Sequence, residues 1–213
     1  PKPGFLEALR EVTTECGIAL IFDEVVTGFR FAYGGAQEYY GVVPDLCAMG
    51  KVVGGGFPLA LVAGREDYMA HFDKGAVPDD EFMTQIGTLS GNPVAATAGL
   101  ATLEVLRRPG AYERIFETGR TLMNGLRDML AKADVPAQVI GEPPLFDVFF
   151  VDNAIGDYRG TLGADAARAE RFNASLRDSG ILKGPSKFYV SLAHDDADIA
   201  QTLAAFKTAV EVL

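Results

Sequence analysis

Two side chains in this sequence, Asp23 and Lys51, have the types and settings needed for chemistry. Asp23 ends the apolar run Ile18-Ala19-Leu20-Ile21-Phe22. A carboxylate closing a buried strand is costly unless something positive meets it. A salt bridge or a helix cap is the commonest answer. The other is a counter-ion for a protonated nitrogen heterocycle, which keeps the ring cationic and able to draw electrons from a carbanion. Glu24 falls on the opposite face of the strand and reads as structural. Lys51 lies in Ala48-Met49-Gly50-Lys51-Val52-Val53-Gly54-Gly55-Gly56. An ordinary lysine, with a pKa of about 10.4, is a poor nucleophile at neutral pH. Burial and a cationic neighbour lower that value and free the amine for imine formation. The three glycines would let the backbone pass close to a flat ligand. A lysine snorkelling from the sheet edge fits the local sequence as well. A phosphate-gripping lysine is a third option, but no Gly-x-x-x-x-Gly-Lys-Ser/Thr pattern precedes it.

A third stretch, Ile86-Gly87-Thr88-Leu89-Ser90-Gly91-Asn92-Pro93, runs small and hydroxyl residues into a helix start. Ser90 or Asn92 can cap that helix, and Pro93 suits its first position. The N–H groups and hydroxyls around Gly87 and Thr88 suit an anion such as phosphate. Capping accounts for Asn92 without a ligand; it does not account for Thr88.

The elements that must hold these residues follow from periodicity. Phe5, Leu6, Leu9, Val12 and Cys16 recur at helical spacing, with Pro3 to open the helix and Gly17 to close it. Ile18 to Phe22 is short and β-branched and reads as a strand buried on both faces, hence a parallel sheet. In such α/β sheets ligands sit at the carboxyl ends of the strands. Further strands are expected at 45–49 and 59–63, a short helix at 65–72 and a long helix from about Asn92 to Arg107. Pro109-Gly110 breaks the pattern. An amphipathic helix carrying Tyr112, Ile115, Phe116, Leu122, Leu126 and Met129 follows. Strands at 137–141 and 145–151, a helix near 164–179, a strand at 188–191 and a last helix bearing Ile199, Leu203, Phe206, Val210 and Leu213 complete the chain. The expected division is residues 1–104, part of an α/β domain with a mainly parallel sheet, and 105–213, a smaller α+β domain. The boundary falls near Leu103–Leu106.

Composition narrows the partners. Of 213 residues, 48% are hydrophobic and 23% charged, enough for an ordinary core, and the net charge is −10. That charge argues against nucleic acid and against an anionic membrane. No apolar stretch approaches the roughly twenty residues of a membrane span. Cys16 and Cys47 lie far apart in apolar runs and read as buried free thiols. With no signal-peptide pattern, the expected location is cytoplasmic. His71 and His194 are not spaced as a metal pair, and no metal is expected. The opening Pro1-Lys2-Pro3-Gly4, without an initiating Met, reads as an internal start.

Phe22-Asp23-Glu24-Val25-Val26-Thr27-Gly28-Phe29-Arg30, then Pro44-Asp45 through Lys51 and Gly54 to Gly56, then Gly87 to Pro93, in this order, resemble the class III pyridoxal-phosphate aminotransferases. The text is most similar to their glutamate-1-semialdehyde 2,1-aminomutase branch, which Ser191-Leu192-Ala193-His194 also resembles. The resemblance is tight up to Gly99 and loose afterwards. It implies part of a fold-type I large domain followed by the small C-terminal domain. It implies pyridoxal 5′-phosphate as cofactor, with Lys51 as imine lysine and proton shuttle, Asp23 on the pyridine nitrogen and Val25 on one ring face. Gly87 and Thr88 would serve the phosphate, Thr88 across the interface of a homodimer. Three departures stand beside it. The phosphate cup, the stacking aromatic and an active-site acid belong to an earlier half whose text is absent, so a missing N-terminal half is needed. Val26 stands where many members have Gln against the ring hydroxyl. Lys187 stands where many have an Arg for a substrate carboxylate, a point charge in place of a fork.

The implied reaction is amino transfer between an amine or amino acid and a keto acid or aldehyde. Intramolecular transfer by an aminomutase is the near alternative, and a non-catalytic module of the same fold is a second. A nicotinamide-dependent enzyme is disfavoured, since no Gly-x-Gly-x-x-Gly follows a strand.

Overall fold

The computed structural model describes residues 1–213, and the chain divides into two compact units, Pro1–Pro109 and Gly110–Leu213. In the first unit the expected order of elements is found. Helix α1, Phe5–Glu15, is entered through Gly4 and left through Gly17, both in the left-handed region. Strand β1 is Ile21–Glu24, helix α2 Gly35–Tyr40, strand β2 Leu46–Met49 and strand β3 Leu61–Gly64. A 3₁₀ turn, Lys51–Gly54, follows β2 directly. Helix α3 is Glu66–Met69, running into a 3₁₀ turn at Ala70–Phe72, and helix α4 is Pro93–Leu106.

The three strands lie in the order β1-β2-β3, with β1 parallel and β3 antiparallel to β2. The register aligns Asp23, Ala48 and Val62, and one residue on Glu24, Met49 and Leu61. Because side chains alternate, Ile21, Asp23, Leu46, Ala48 and Val62 share one face. Phe22, Glu24, Cys47, Met49 and Leu61 share the other.

Two expectations are corrected here. The first strand begins at Ile21 rather than Ile18 and is not buried on both faces: Ile18 and Ile21 are 58% and 61% exposed. The reason is its place at the outer edge of the sheet, with a covering layer only on the Glu24–Cys47 side. Cys47 is buried as expected, but Cys16 is exposed, since α1 contributes no buried residue.

The second unit builds an α+β core of its own. Helix α5 is Ala111–Lys132, strands β4 and β5 are Gln138–Glu142 and Leu145–Phe149, and helices α6 and α7 are Tyr158–Thr161 and Ala166–Asp178. Strand β6, Phe188–Tyr189, and helix α8, Asp196–Glu211, end it. The sheet is antiparallel in the order β4-β5-β6. Phe146, Phe172, Phe206, Leu126 and Leu176 are essentially inaccessible to solvent. The rings of Phe146 and Phe188 stack at 4.8 Å, and Phe188 meets Phe206 edge-on at 5.4 Å. The Asp195 side chain caps α8 by accepting the Ala197 and Asp198 N–H groups, and the Asp198 carboxylate accepts the Asp195 N–H in return.

Candidate active site

The parallel pairing of β1 and β2 does the positioning. Both strands run the same way, so their carboxyl ends finish side by side, with Asp23 opposite Ala48. Lys51 follows three residues after Ala48 at the head of its 3₁₀ turn. The pairing is tied at its start by Asp45. Its buried carboxylate accepts the Leu20 N–H at 2.8 Å, Arg10 Nη1 at 2.9 Å and Arg65 Nη1 at 3.0 Å. Those bonds, the Leu20 amide first and the two guanidiniums next, hold its pKa down to about 2 from 3.8.

At the carboxyl ends, Asp23 is exposed and its Oδ1 accepts the Val25 N–H at 3.0 Å. The Val25 side chain lies 3.5 Å from where a Cβ on Gly50 would stand, so Val25 abuts the residue before Lys51. Lys51 is exposed and has φ 49°. The left-handed region costs a residue with a Cβ about 1–2 kcal/mol. Backbone alone would favour glycine there.

Asp23, Val25 and the Gly50–Lys51 step thus lie at the carboxyl end of the β1–β2 pair. Gly87 and Thr88 are not gathered with them. They line a separate cleft of about 820 Å³, with Pro58 to Val62, Met69, Phe72 and Ser90. Asn92 is the cap of α4, accepting the Val94 and Ala95 N–H groups, while Ser90 reaches Gln85. The triple glycine has another cause than a flat ligand for two of its members. A Cβ on Gly54 would press on Leu59, and one on Gly55 would run into Ala98 and Thr102 of α4. The turn after Lys51 is therefore clamped on α4.

The residue underrated by sequence reasoning is Glu24. It is 1% exposed, and its carboxylate takes four donors: Thr27 Oγ1 at 3.0 Å, Ala36 N at 2.6 Å, Gln37 N at 3.0 Å and Gln37 Nε2 at 3.2 Å. Its carbonyl accepts the Gly28 N–H at 2.8 Å. One side chain thereby caps α2 and folds the 25–34 loop against the end of β1, beside Asp23. The signal was the Gly34-Gly35 pair: a Cβ at Gly35 would collide with that carboxylate.

In the second unit Lys187 is exposed with φ 69° and lines a cleft of about 710 Å³. Lys183 lines the same cleft, buried and paired with Asp147 at 3.1 Å.

The glutamate-1-semialdehyde 2,1-aminomutase of Pelotomaculum thermopropionicum is 43% identical over 99% of this chain and 49% of its own. An omega-transaminase from Sphaerobacter thermophilus superposes with a TM-score of 0.91 at 36% identity, covering 99% of this chain and 48% of its own. A transaminase with PLP bound superposes at 0.85 with 30% identity, over 99% and 48%. The chain spans about half the length of the relatives it matches. The aminotransferase class-III family model matches residues 1–210, and the chain belongs to that family.

Proposed function

We propose that this chain is part of a pyridoxal-phosphate-dependent aminotransferase that moves an amino group between an amine or amino acid and a keto acid or aldehyde. The observation that carries the reading is the parallel β1–β2 ladder, which brings Asp23 and the Gly50–Lys51 step to the same end of the sheet, with Val25 bonded to Asp23 and set against Gly50. The residue types fit the cofactor indicated by the family and its PLP-bound member: an amine, a carboxylate and an apolar side chain on segments that leave the same end of the β1–β2 pair. When bound, pyridoxal phosphate supplies an aldehyde carbon for an amine and a cationic ring that accepts electrons.

The chain's own residues do the rest. Lys51 Nζ anchors the cofactor, takes the proton from the amine-bearing carbon of the substrate and returns one on the other side of the reaction. Asp23 keeps the ring nitrogen protonated; the Val25 N–H fixes the carboxylate by one oxygen and leaves the second for the ring. Val25 offers an apolar surface to one ring face. Gly87 and Thr88 serve the phosphate of a second copy's site, in keeping with their separate cleft. The functional unit is a homodimer whose protomers also include the complementary half.

The aminomutase relative at 43% identity favours a second reading, transfer of nitrogen between carbons of one substrate. Product amine formed without an added keto acid marks that reaction; strict dependence on the acceptor marks the first.

The test of the shared step is covalent. Incubation of the full-length protein, this chain together with its complementary half, with pyridoxal 5′-phosphate, followed by borohydride reduction and peptide mapping, should place the label on Lys51. Lys51→Ala should remove it and leave the circular dichroism unchanged, since the side chain is exposed. A label on other lysines with Lys51 unmodified would overturn the assignment and favour a non-catalytic module.

A further inference from the structure

Asp23 and Glu24 leave the end of β1 on opposite faces and are held very differently. Asp23 is exposed, and its Oδ1 takes the Val25 N–H. Glu24 is buried and uses both oxygens within the chain. Oε2 accepts Thr27 Oγ1 and the Ala36 N–H; Oε1 accepts the N–H and the side-chain amide of Gln37. With the Gly28 N–H on the Glu24 carbonyl, side chain and main chain together close a turn around Val25 and Val26. The turn has no slack: a Cβ on Gly28 would stand 2.7 Å from that carbonyl oxygen and 3.3 Å from Met49 Cγ of β2. The N–H that aims Asp23 therefore belongs to a residue inside a turn that Glu24 closes. The loop is fastened again at Tyr33. Arg107, the C-cap of α4, donates Nη2 to the Tyr33 hydroxyl at 2.7 Å and lies 5.1 Å from the ring centroid. The same helix backs the turn after Lys51, since a Cβ on Gly99 would stand 2.7 Å from the Val53 carbonyl oxygen. The Asp23 loop and the Lys51 turn thus share one support.

We propose that Glu24 is a positioning residue for the cofactor's ring nitrogen, acting through Val25 and Asp23. The inference rests on the reading of Asp23 as the carboxylate that keeps that nitrogen protonated, and it adds the device that aims it. An exposed Asp side chain turns about two torsions, and its pull on a cation falls with distance. Fixing the carboxylate beforehand removes that freedom before any ligand arrives. The arrangement requires Glu itself. Gln at position 24 keeps the shape but must turn its NH₂ group toward a main-chain N–H, that of Ala36 on one side or Gln37 on the other. An amide NH₂ donates and cannot accept, so either orientation breaks the turn's root.

The experiment uses the full-length protein, this chain together with its complementary half, carrying Glu24→Gln, and reads two quantities other than turnover. Without cofactor, the Val25 amide should exchange about tenfold faster or more, since the turn that holds it on Asp23 opens more often. With pyridoxal 5′-phosphate isotope-labelled at the ring nitrogen, NMR gives the pH at which that nitrogen loses its proton. That pH should fall by about one unit or more, as expected when an opposite charge is no longer held close. Asp23→Asn, which removes the charge itself, should lower it at least as far. Thr27→Val takes one donor from Glu24 at nearly constant shape and should give a smaller fall of the same sign. It decides the matter where Glu24→Gln does not fold. An unchanged ring titration in the deciding variant, with Asp23→Asn shifting it, would overturn the proposal; faster Val25 exchange alone would leave Glu24 a purely structural group. A titration that Asp23→Asn leaves in place would overturn the reading of Asp23, and the proposal with it.

Discussion

The two units are held together by different means. Among the largest side chains withdrawn from water, Phe146, Phe172, Phe206, Leu126, Leu176, Thr118 and Pro144 belong to the second unit, and only Glu24 to the first. The second unit is a closed aromatic core. The first is a small sheet pinned by charged hydrogen-bonding groups at both ends of β1, Asp45 at the start and Glu24 at the finish. The difference teaches where the chemistry can be. Packed apolar cores specify shape, while buried carboxylates with several donors fix the aim of a few groups at a price in desolvation. The residues proposed for the site, Asp23, Val25 and Lys51, all lie in the unit built the second way.

The comparison breaks first at Phe206. If the aromatic core carries the second unit, Phe206→Ala should cost it about 3–5 kcal/mol, the usual range for a buried Phe truncated to Ala. The measurement is the denaturant dependence of exchange at Leu126 and Leu176. A loss below about 1 kcal/mol would mean that the stacked rings are incidental. Glu24→Ala comes next. It strands four donors, and a single unsatisfied buried group costs about 1–3 kcal/mol. The protection of the Ala36 and Gln37 amides should fall, and that of Leu126 should not. Retained protection would show that α2 and the loop stand without the carboxylate.

Asp45 sharpens the contrast through pH. Its folded pKa of about 2 lies below the ordinary 3.8, so it contributes stability that is full above 3.8 and lost as pH falls through about 2. Acid should therefore loosen the Leu20–Asp45 tie of the first unit between those values. Asp45→Asn should abolish that dependence when exchange at Leu46 is followed from pH 5 to about 2. An unchanged acid profile in the variant would remove Asp45 from the account.

Much of this was legible in the chain itself. Helix α4 follows its cap and helices α5 and α8 their periodicity, and Asp23 and Lys51 stand out because each sits at or just past the end of a short apolar run, Lys51 also before a glycine run. The burial of β1 was not legible. An apolar run states a capacity to be covered on both faces, and only the sheet order shows that β1 is an edge. Nor was the weight of Glu24, whose main-chain partners lie twelve and thirteen residues on and are brought back only by the loop. The glycines after Lys51 were read toward a ligand; α4, some forty residues later, is what Gly55 meets.

The smallest expected effect tests the other side of the contrast, that charge matters little in the second unit. Arg114 Nη2 meets Asp196 Oδ1 at 2.5 Å and joins α5 to α8. The Asp196 side chain is 90% exposed, so water and salt screen the pair. Exposed pairs contribute about 0–1 kcal/mol. Arg114→Ala should change the exchange of Leu126 by no more than that, and high salt should erase the difference. Arg10→Ala, which removes a partner of buried Asp45, should lower protection of Leu46 even at high salt. Equal salt sensitivity of the two variants would mean that both ion pairs are surface ornaments, and that Asp45 is held by the Leu20 amide and Arg65 without need of Arg10.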